Sequence, residues 1–522
     1  MPFIRSLLLL LALPLALSAC KDESPPQGQE PEVPLGPVEA GDWEDTGPFA
    51  ECPIRSGECG SLETFEVSAC APGTLSGFTP DGVYTVQMRY ASASVGGFRT
   101  TAMGLSSSGG PEFLGPMDVE AREVDSDTVF YRGRRETSTG PSTRSFFGCR
   151  MPGADQLQGC FDECLNGKRT SRGTFQARRV SPAPGEAVAS GLSLISETRM
   201  KNPNIPLAGL AGMPVDVYVT KKHAYVVSLG GGLFVYDVEF PERPVFQTQV
   251  YRSQDTYWNG VWAKGDALYV ASANRGILVF DIRDPGAPTL VRNVPAGATN
   301  VHTVFVSGDL LFGTAQEPDS AVLVFDVKEP LQPVLIAKFQ AQGSSDVGPH
   351  DLFTFEDRLY VNFWSTGYVV AGLERPDAPN ELGRYRYEYA TSHANAVGRF
   401  GDRLIAFEGG EGWGAHLRVL DVTDPAHISL IGEWRTHEHI SIHNMVLVGT
   451  KLYVAHYHDG VRVLNVSVPE TPREVAHFNT FRATDEGRGT SFYDGAVGIR
   501  VPGDGYVYTV DTSRGLLILR EE

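Results

Sequence analysis

The chain has 522 residues, a formal net charge of -19 at pH 7, and 42% hydrophobic against 20% charged residues. That length allows more than one domain. The acidic balance excludes a nucleic-acid-binding surface, which must be basic to meet phosphate, and disfavours lying flat on anionic lipid.

Residues 1–19 carry Arg5, the apolar run Leu7 to Leu17, and Ser18-Ala19 before Cys20, which is the layout of a secretory signal peptide. The run is too short to span a bilayer as a helix. A cysteine directly after Leu17-Ser18-Ala19 resembles the lipobox of bacterial lipoproteins, and the resemblance implies cleavage before Cys20 and diacylglycerol on its thiol. The alternative is an ordinary cleaved signal with an incidental cysteine. No second long apolar run follows, so attachment to the membrane is expected through this lipid alone. Lys21 rather than Asp after the cysteine implies, by the same resemblance, a cell-envelope location at the bacterial outer membrane.

Residues 20–48 are rich in Pro, Glu and Gly and poor in aliphatics, a composition expected to stay disordered and act as a spacer. Residues 49–185 change to short β-like runs, such as Val83 to Tyr90, Thr128 to Arg132 and Gly173 to Val180, between Gly, Ser and Pro clusters. With Cys20 assigned to lipid, the other six cysteines all fall here: Cys52, Cys59, Cys70, Cys149, Cys160 and Cys164. An even set in an exported segment predicts three disulfides in a small β domain, with fifteen connectivities open. A zinc site using Cys160 and Cys164 is the competing reading, disfavoured by an oxidising compartment.

Residues 190–522 repeat. GLFVYDVEFPERP from Gly232, GILVFDIRDPGAP from Gly276, AVLVFDVKEPLQP from Ala321, YVVAGLERPDAP from Tyr368, HLRVLDVTDPAHI from His416, GVRVLNVSVPETP from Gly460 and GLLILREE from Gly515 align, the first six at a period of about 45 residues. Each unit supplies two strands around a Gly/Asp turn, a third ending in Asp-Val, a Pro-containing turn and a fourth strand. That is the pattern of a propeller blade rather than a helical solenoid. The seventh unit lacks its outer strand, and residues 190–199 match that strand's pattern, so they are expected to close the ring. The fold class is therefore all-β: a seven-bladed β-propeller preceded by a small disulfide-rich β domain.

These repeats resemble LVIVD-type repeats of bacterial and archaeal surface proteins. The stretch from Ile442-His443-Asn444-Met445 to His456-Tyr457-His458-Asp459-Gly460-Val461-Arg462-Val463-Leu464 is similar to the His-Asn plus Tyr-x-x-Gly-x-Arg-x-Leu signature of LVIVD-containing anchored surface proteins. The resemblance implies fold and surface exposure, not a reaction. Blade four departs from it, with Gly372 where other units have Asp or Asn.

The residue before each innermost strand should face the channel mouth. Counting six back from each Gly/Asp turn gives Val215, Asn259, His302, His350, Asn395, His443 and Asp494, with His393 two residues before Asn395. All 12 histidines follow residue 222, and His416, His437, His439, His456 and His458 fall in loops on the same predicted face. Imidazoles with a carboxylate around one axis suit a divalent transition metal, the candidate cofactor. The competing account is repeat-templated hydrogen bonding, each His or Asn fixing the neighbouring blade's loop.

Trp258, Trp364, Trp413, Trp434, Tyr257 and Tyr457 lie in or near the same loops, where they would serve a protein or glycan partner or pack between blades. Thr480 to Tyr493, with Asp485 and Glu486, is an insertion that is either a lid or an ordinary polar loop. Gly409-Gly410-Glu411-Gly412 lacks the Lys-Ser/Thr of a phosphate loop, and no Gly-x-Ser-x-Gly or HExxH occurs. The expected function is an envelope-bound binding or scaffold module, the alternative a metal-dependent hydrolase or oxidase at the channel mouth.

Overall fold

A computed structural model describes residues 36–53, 55, 57–67, 70, 73–92, 97–110, 112–180, 182, 186–201, 212–344, 347–437, 439–482, 484–485 and 489–522. The signal peptide, Cys20, the first part of the expected spacer and Glu486 lie outside the described residues. No helix among the described residues is long and apolar enough to cross a membrane.

The cysteine-rich region is a closed eight-stranded antiparallel barrel in sequential order, from Gly82–Tyr90 to Lys168–Arg179, whose first strand pairs with its last. Tyr84, Val86, Met88, Phe146, Phe161 and Phe175 fill its interior. Three disulfides tie the segment before the barrel onto its later strands: Cys52–Cys160, Cys59–Cys164 and Cys70–Cys149, closing separations of 108, 105 and 79 residues. On a chain-entropy account, loops of that size are worth on the order of 4 kcal/mol each.

The seven blades are separate four-stranded antiparallel sheets, two of which gain a fifth strand. Their innermost strands are Met213–Thr220, Trp258–Lys264, Asn300–Ser307, Asp351–Phe355, Ser392–Phe400, Asn444–Val448 and Ala496–Arg500. The repeated Asp-Val has a local cause. The Asp237, Asp281, Asp326, Asp421 and Asn465 side chains each accept the backbone N–H two residues on, at 2.8–3.0 Å, turning the chain toward the fourth strand. Gly372 of blade four has no side chain for this, yet the Leu373 N–H still donates to the Asp357 carbonyl at 2.9 Å, and the turn survives. Tyrosines staple blade to blade: the Tyr225 hydroxyl donates to the Pro285 carbonyl and that of Tyr269 to Pro330.

Ring closure follows the expected route. Leu192–Thr198 runs antiparallel to Gly515–Glu521 as the outer strand of blade seven, paired from Leu192 with Glu521 to Thr198 with Leu516. Leu192 joins Leu517 and Leu519 in the core between blades six and seven. The fully buried Arg514 guanidinium pairs with Glu197 of the closing strand at 2.7 Å and donates to the Thr480 carbonyl.

The expectation of a disordered spacer to residue 48 fails over residues 36–48. Val38–Glu39 adds in parallel to the outer strand of blade four, Asn380–Tyr387, and the chain then crosses the propeller's rim. Asp42 meets buried Arg418, Trp43 stacks on Tyr389 at 4.7 Å and meets Phe98 of the barrel edge-on at 4.9 Å, and Asp45 pairs with Arg89. Composition predicts disorder for a segment alone; here the partners come from two folded domains. Gly41 is the tightest point, since a Cβ there would lie 2.3 Å from the Glu388 carbonyl oxygen. Gly41→Ala is expected to lift this strap and expose 36–48 to limited proteolysis while leaving the barrel and propeller folded; unchanged cleavage of the strap would contradict its docking.

The barrel sits on the propeller face that carries the channel mouth. Val83, Ala102, Phe113 and Val180 of the barrel share one buried cluster with Ile440, Tyr457, Phe481 and Val497 of blades six and seven. The insertion 480–493 contributes to this contact through buried Phe481 and half-buried Tyr493, while Arg482, Thr484 and Ser491 are exposed.

Candidate metal centre

Histidines from four consecutive blades meet at the mouth. His302, His350, His393 and His443 form an arc in which successive ring centroids are 3.9, 4.3 and 4.6 Å apart. They come together because each opens or precedes an innermost strand, and the propeller brings those starts around one axis. Trp364 stacks on His350 at 4.9 Å and closes the outer side of the arc.

Two rings are held in one tautomer. His393 Nδ1 donates to the His443 carbonyl at 2.8 Å, and His443 Nδ1 to the Val497 carbonyl at 3.0 Å. A carbonyl only accepts, so both protons sit on Nδ1 and both Nε2 atoms keep a bare lone pair. The repeat-templated hydrogen bonding expected from the sequence is thus present, but it uses one nitrogen of each ring and leaves the other for the mouth. His350 Nδ1 is buried with no hydrogen-bond partner, and Asn259 Nδ2 lies 3.1 Å from His302 Nε2.

A fifth donor is Glu411, from the loop between the second and third strands of blade five. Its Oε2 lies 3.5 Å from His393 Nε2, while Tyr457 donates its hydroxyl to Oε1. Candidate donor atoms of His302, His350 and His393 lie within 4.8 Å of one another, and so do those of His393, Glu411 and His443; His393 belongs to both groups.

Burial keeps the imidazoles neutral. It pulls His302 and His443 down to about 3 and His393 to about 4, and holds His350 well below the usual range, with neighbouring rings adding to the effect. Burial raises Glu411, opposed by His443 and the Tyr457 hydrogen bond. With His393 neutral, its contact with Glu411 is not an ion pair. It brings two acceptors face to face, an arrangement relieved by a proton on Glu411, a bridging water or a metal ion.

Not every predicted site residue joins this arc. Asn395 lines the channel but donates to Asn362 Oδ1 and accepts from the Tyr368 hydroxyl, a structural role. Asp494 accepts the Ser491 N–H at 2.7 Å and approaches the Thr512 hydroxyl, tying its own loop; it lies outside both donor groups. The other loop histidines are engaged elsewhere. His416 meets Asp42, His437 and His456 approach Asp459, His439 stacks on Trp413, and His458 packs edge-on against Phe481. Of the six loop aromatics, Trp258, Trp413 and Tyr457 are buried and serve packing, Trp364 and Trp434 are half-buried and Tyr257 is exposed. In the sequence Glu411 belongs to a Gly-rich stretch that fails as a phosphate loop; the signal it carries is an acidic residue in a second-to-third strand loop, which opens on the mouth face.

The fold and this site define a class: a seven-bladed β-propeller with a histidine-lined channel mouth. The LVIVD repeat family matches residues 257–295, so the chain carries an LVIVD repeat in blade two. Comparison with curated proteins gave no match. Among solved structures, the computationally designed Ika8 protein is similar at 10% identity and TM-score 0.42, over 78% of this chain and 96% of its own. The WD40 β-propeller domain of Doa1 is similar at 12% identity and TM-score 0.47, over 64% of this chain and 98% of its own.

Proposed function

We propose that this protein is an exported, lipid-tethered metalloprotein whose propeller holds a divalent transition metal ion at its channel mouth. The observation that carries the metal is the locked His393 ring, whose bare Nε2 faces the Glu411 carboxyl and neighbouring imidazoles in a buried site. Such a nitrogen-rich set with one carboxylate suits zinc, iron, copper or nickel over calcium or magnesium. The His443 and Val497 carbonyls accept from Nδ1 and so orient the His393 and His443 rings as metal-ligating histidines require, and Tyr457 orients Glu411 through its hydroxyl.

β-Propellers typically serve in binding or scaffolding, and the fold alone fixes no reaction. One feature favours turnover over scaffolding: His302, His393 and His443 line a channel cavity of about 340 Å³, so a bound ion would have an open side. A metal held by these histidines and Glu411 would supply Lewis acidity to a bound water, which makes hydrolysis the reaction class; oxidation would need a redox-active ion and dioxygen as the oxidant. A protein or glycan partner has the surface outside the barrel's cover left to it.

Elemental analysis of protein purified without chelator tests the metal. One transition-metal ion per chain is expected; a chain that carries none and takes up none of Zn²⁺, Co²⁺, Cu²⁺ or Fe²⁺ on titration would end this reading. The tether rests on the signal-peptide and lipobox pattern around Cys20. Cys20→Ser is expected to move the chain from the membrane to the soluble fraction, and unchanged membrane attachment would contradict it.

A further inference from the structure

Beyond the histidine arc, on the side away from the barrel, the channel is walled by a second tier. Three residues after the mouth position, blades one to four each carry an aromatic: Tyr218, Trp262, Phe305 and Phe353. Their rings form a continuous arc, with successive centroids 5.1, 4.5 and 5.3 Å apart. Arg500 of blade seven reaches across the opening, its guanidinium 4.4 Å from the Trp262 ring centroid and 5.6 Å from that of Tyr218. Asp216 lies 3.5 Å from that guanidinium and offsets its charge.

Both tiers line the same cavity of about 340 Å³. Its lining also includes half-buried Val501 and exposed Pro502, so the cavity reaches solvent at the aromatic end. At the histidine end, Tyr457, which holds Glu411, belongs to the cluster sealed by the barrel.

Resting on the metal reading above, we infer that this chamber binds a small uncharged aromatic molecule, of one or two rings, which enters past Trp262 and Arg500 and reaches the histidine arc. Size sets the first limit. The cavity is at the small end of ligand sites, which run from about 300 to 1,000 Å³, so a peptide or sugar chain does not reach the histidines. The four rings set the second, since they present edges and faces to a planar guest.

Charge sets the third limit. An anion would find Arg500 already paired with Asp216 and a second carboxyl, half-buried Asp351, in the cavity wall. A cation would find the Trp262 and Tyr218 ring faces already taken by the Arg500 guanidinium. A charge that gains no partner on burial is expensive, whereas an uncharged ring loses little.

The test titrates metal-loaded, full-length protein with phenol, benzoate and benzylamine by calorimetry. Phenol is expected to saturate a single site, with benzoate and benzylamine at least about tenfold weaker. Trp262→Leu, which keeps apolar bulk but removes the ring, is expected to weaken phenol by about tenfold with metal content unchanged. Phe305→Leu provides the same readout should the Trp262 variant fold poorly. Benzoate binding as tightly as phenol, or phenol binding untouched by both substitutions, overturns the chamber assignment. A chain that takes up no metal yet binds phenol in a Trp262-dependent way contradicts the metal reading and leaves the chamber standing.

Discussion

His393→Ala is expected to lose metal affinity by more than about 100-fold, because removing a group that merely hydrogen-bonds to a ligand already costs about 10–100-fold and His393 is a donor in both candidate groups. The structural cost is small by comparison. The ring makes one hydrogen bond, to the His443 carbonyl, worth about 1 kcal/mol net. The blades on either side keep their own cores, so the propeller should remain folded. Titration calorimetry with Zn²⁺ or Co²⁺ beside a thermal melt separates the two effects. Tyr457→Phe, which removes only the hydroxyl that donates to Glu411, should weaken metal by about 10–100-fold. Retained wild-type affinity in His393→Ala would mean that the arc is held by hydrogen bonding alone.

The second large effect concerns closure of the ring. Deleting Leu192–Thr198 strips blade seven of its outer strand and leaves the Gly515–Glu521 edge unpaired, with Leu517 and Leu519 exposed beside it. Loss of cooperative folding and aggregation through that edge are expected. A milder variant isolates the latch: Glu197→Ala leaves fully buried Arg514 without its carboxylate. Breaking a buried pair from one side costs about 3–5 kcal/mol, and the partial exposure of Glu197 places this case near the lower end. Chemical denaturation measures it, and a change within a few tenths of a kcal/mol would show that Glu197 does not latch the ring.

Much of this architecture is legible in the sequence because the blade repeats its local chemistry. Asp237, Asp281 and Asp326 make the same turn each time, and the phase they establish places His302, His350 and His443 at equivalent points. The incomplete seventh unit foretells the closing strand for the same reason. Residues whose roles depend on contacts between domains are not legible this way. Trp43 reads as part of a polar spacer until Tyr389 and Phe98 meet it, and Tyr457 reads equally as a partner-binding or a blade-packing aromatic until the barrel covers it. Asp494 keeps the right phase but spends its carboxylate on its own loop. Glu411 lies off the repeat, and the height of its loop above the axis is set by packing rather than by spacing. The aromatic tier does keep a fixed offset from the mouth positions, and its signal was present in the sequence.

The most direct measurement is anomalous X-ray diffraction at the absorption edge of whichever metal elemental analysis finds. A peak within about 2.0–2.2 Å of His393 Nε2, with further imidazole nitrogens or Glu411 Oε2 completing the shell, is the result predicted here. Absence of any peak in crystals of metal-saturated protein, with the Nε2 atoms of His393 and His443 hydrogen-bonded to water, would contradict a metal centre at the channel mouth.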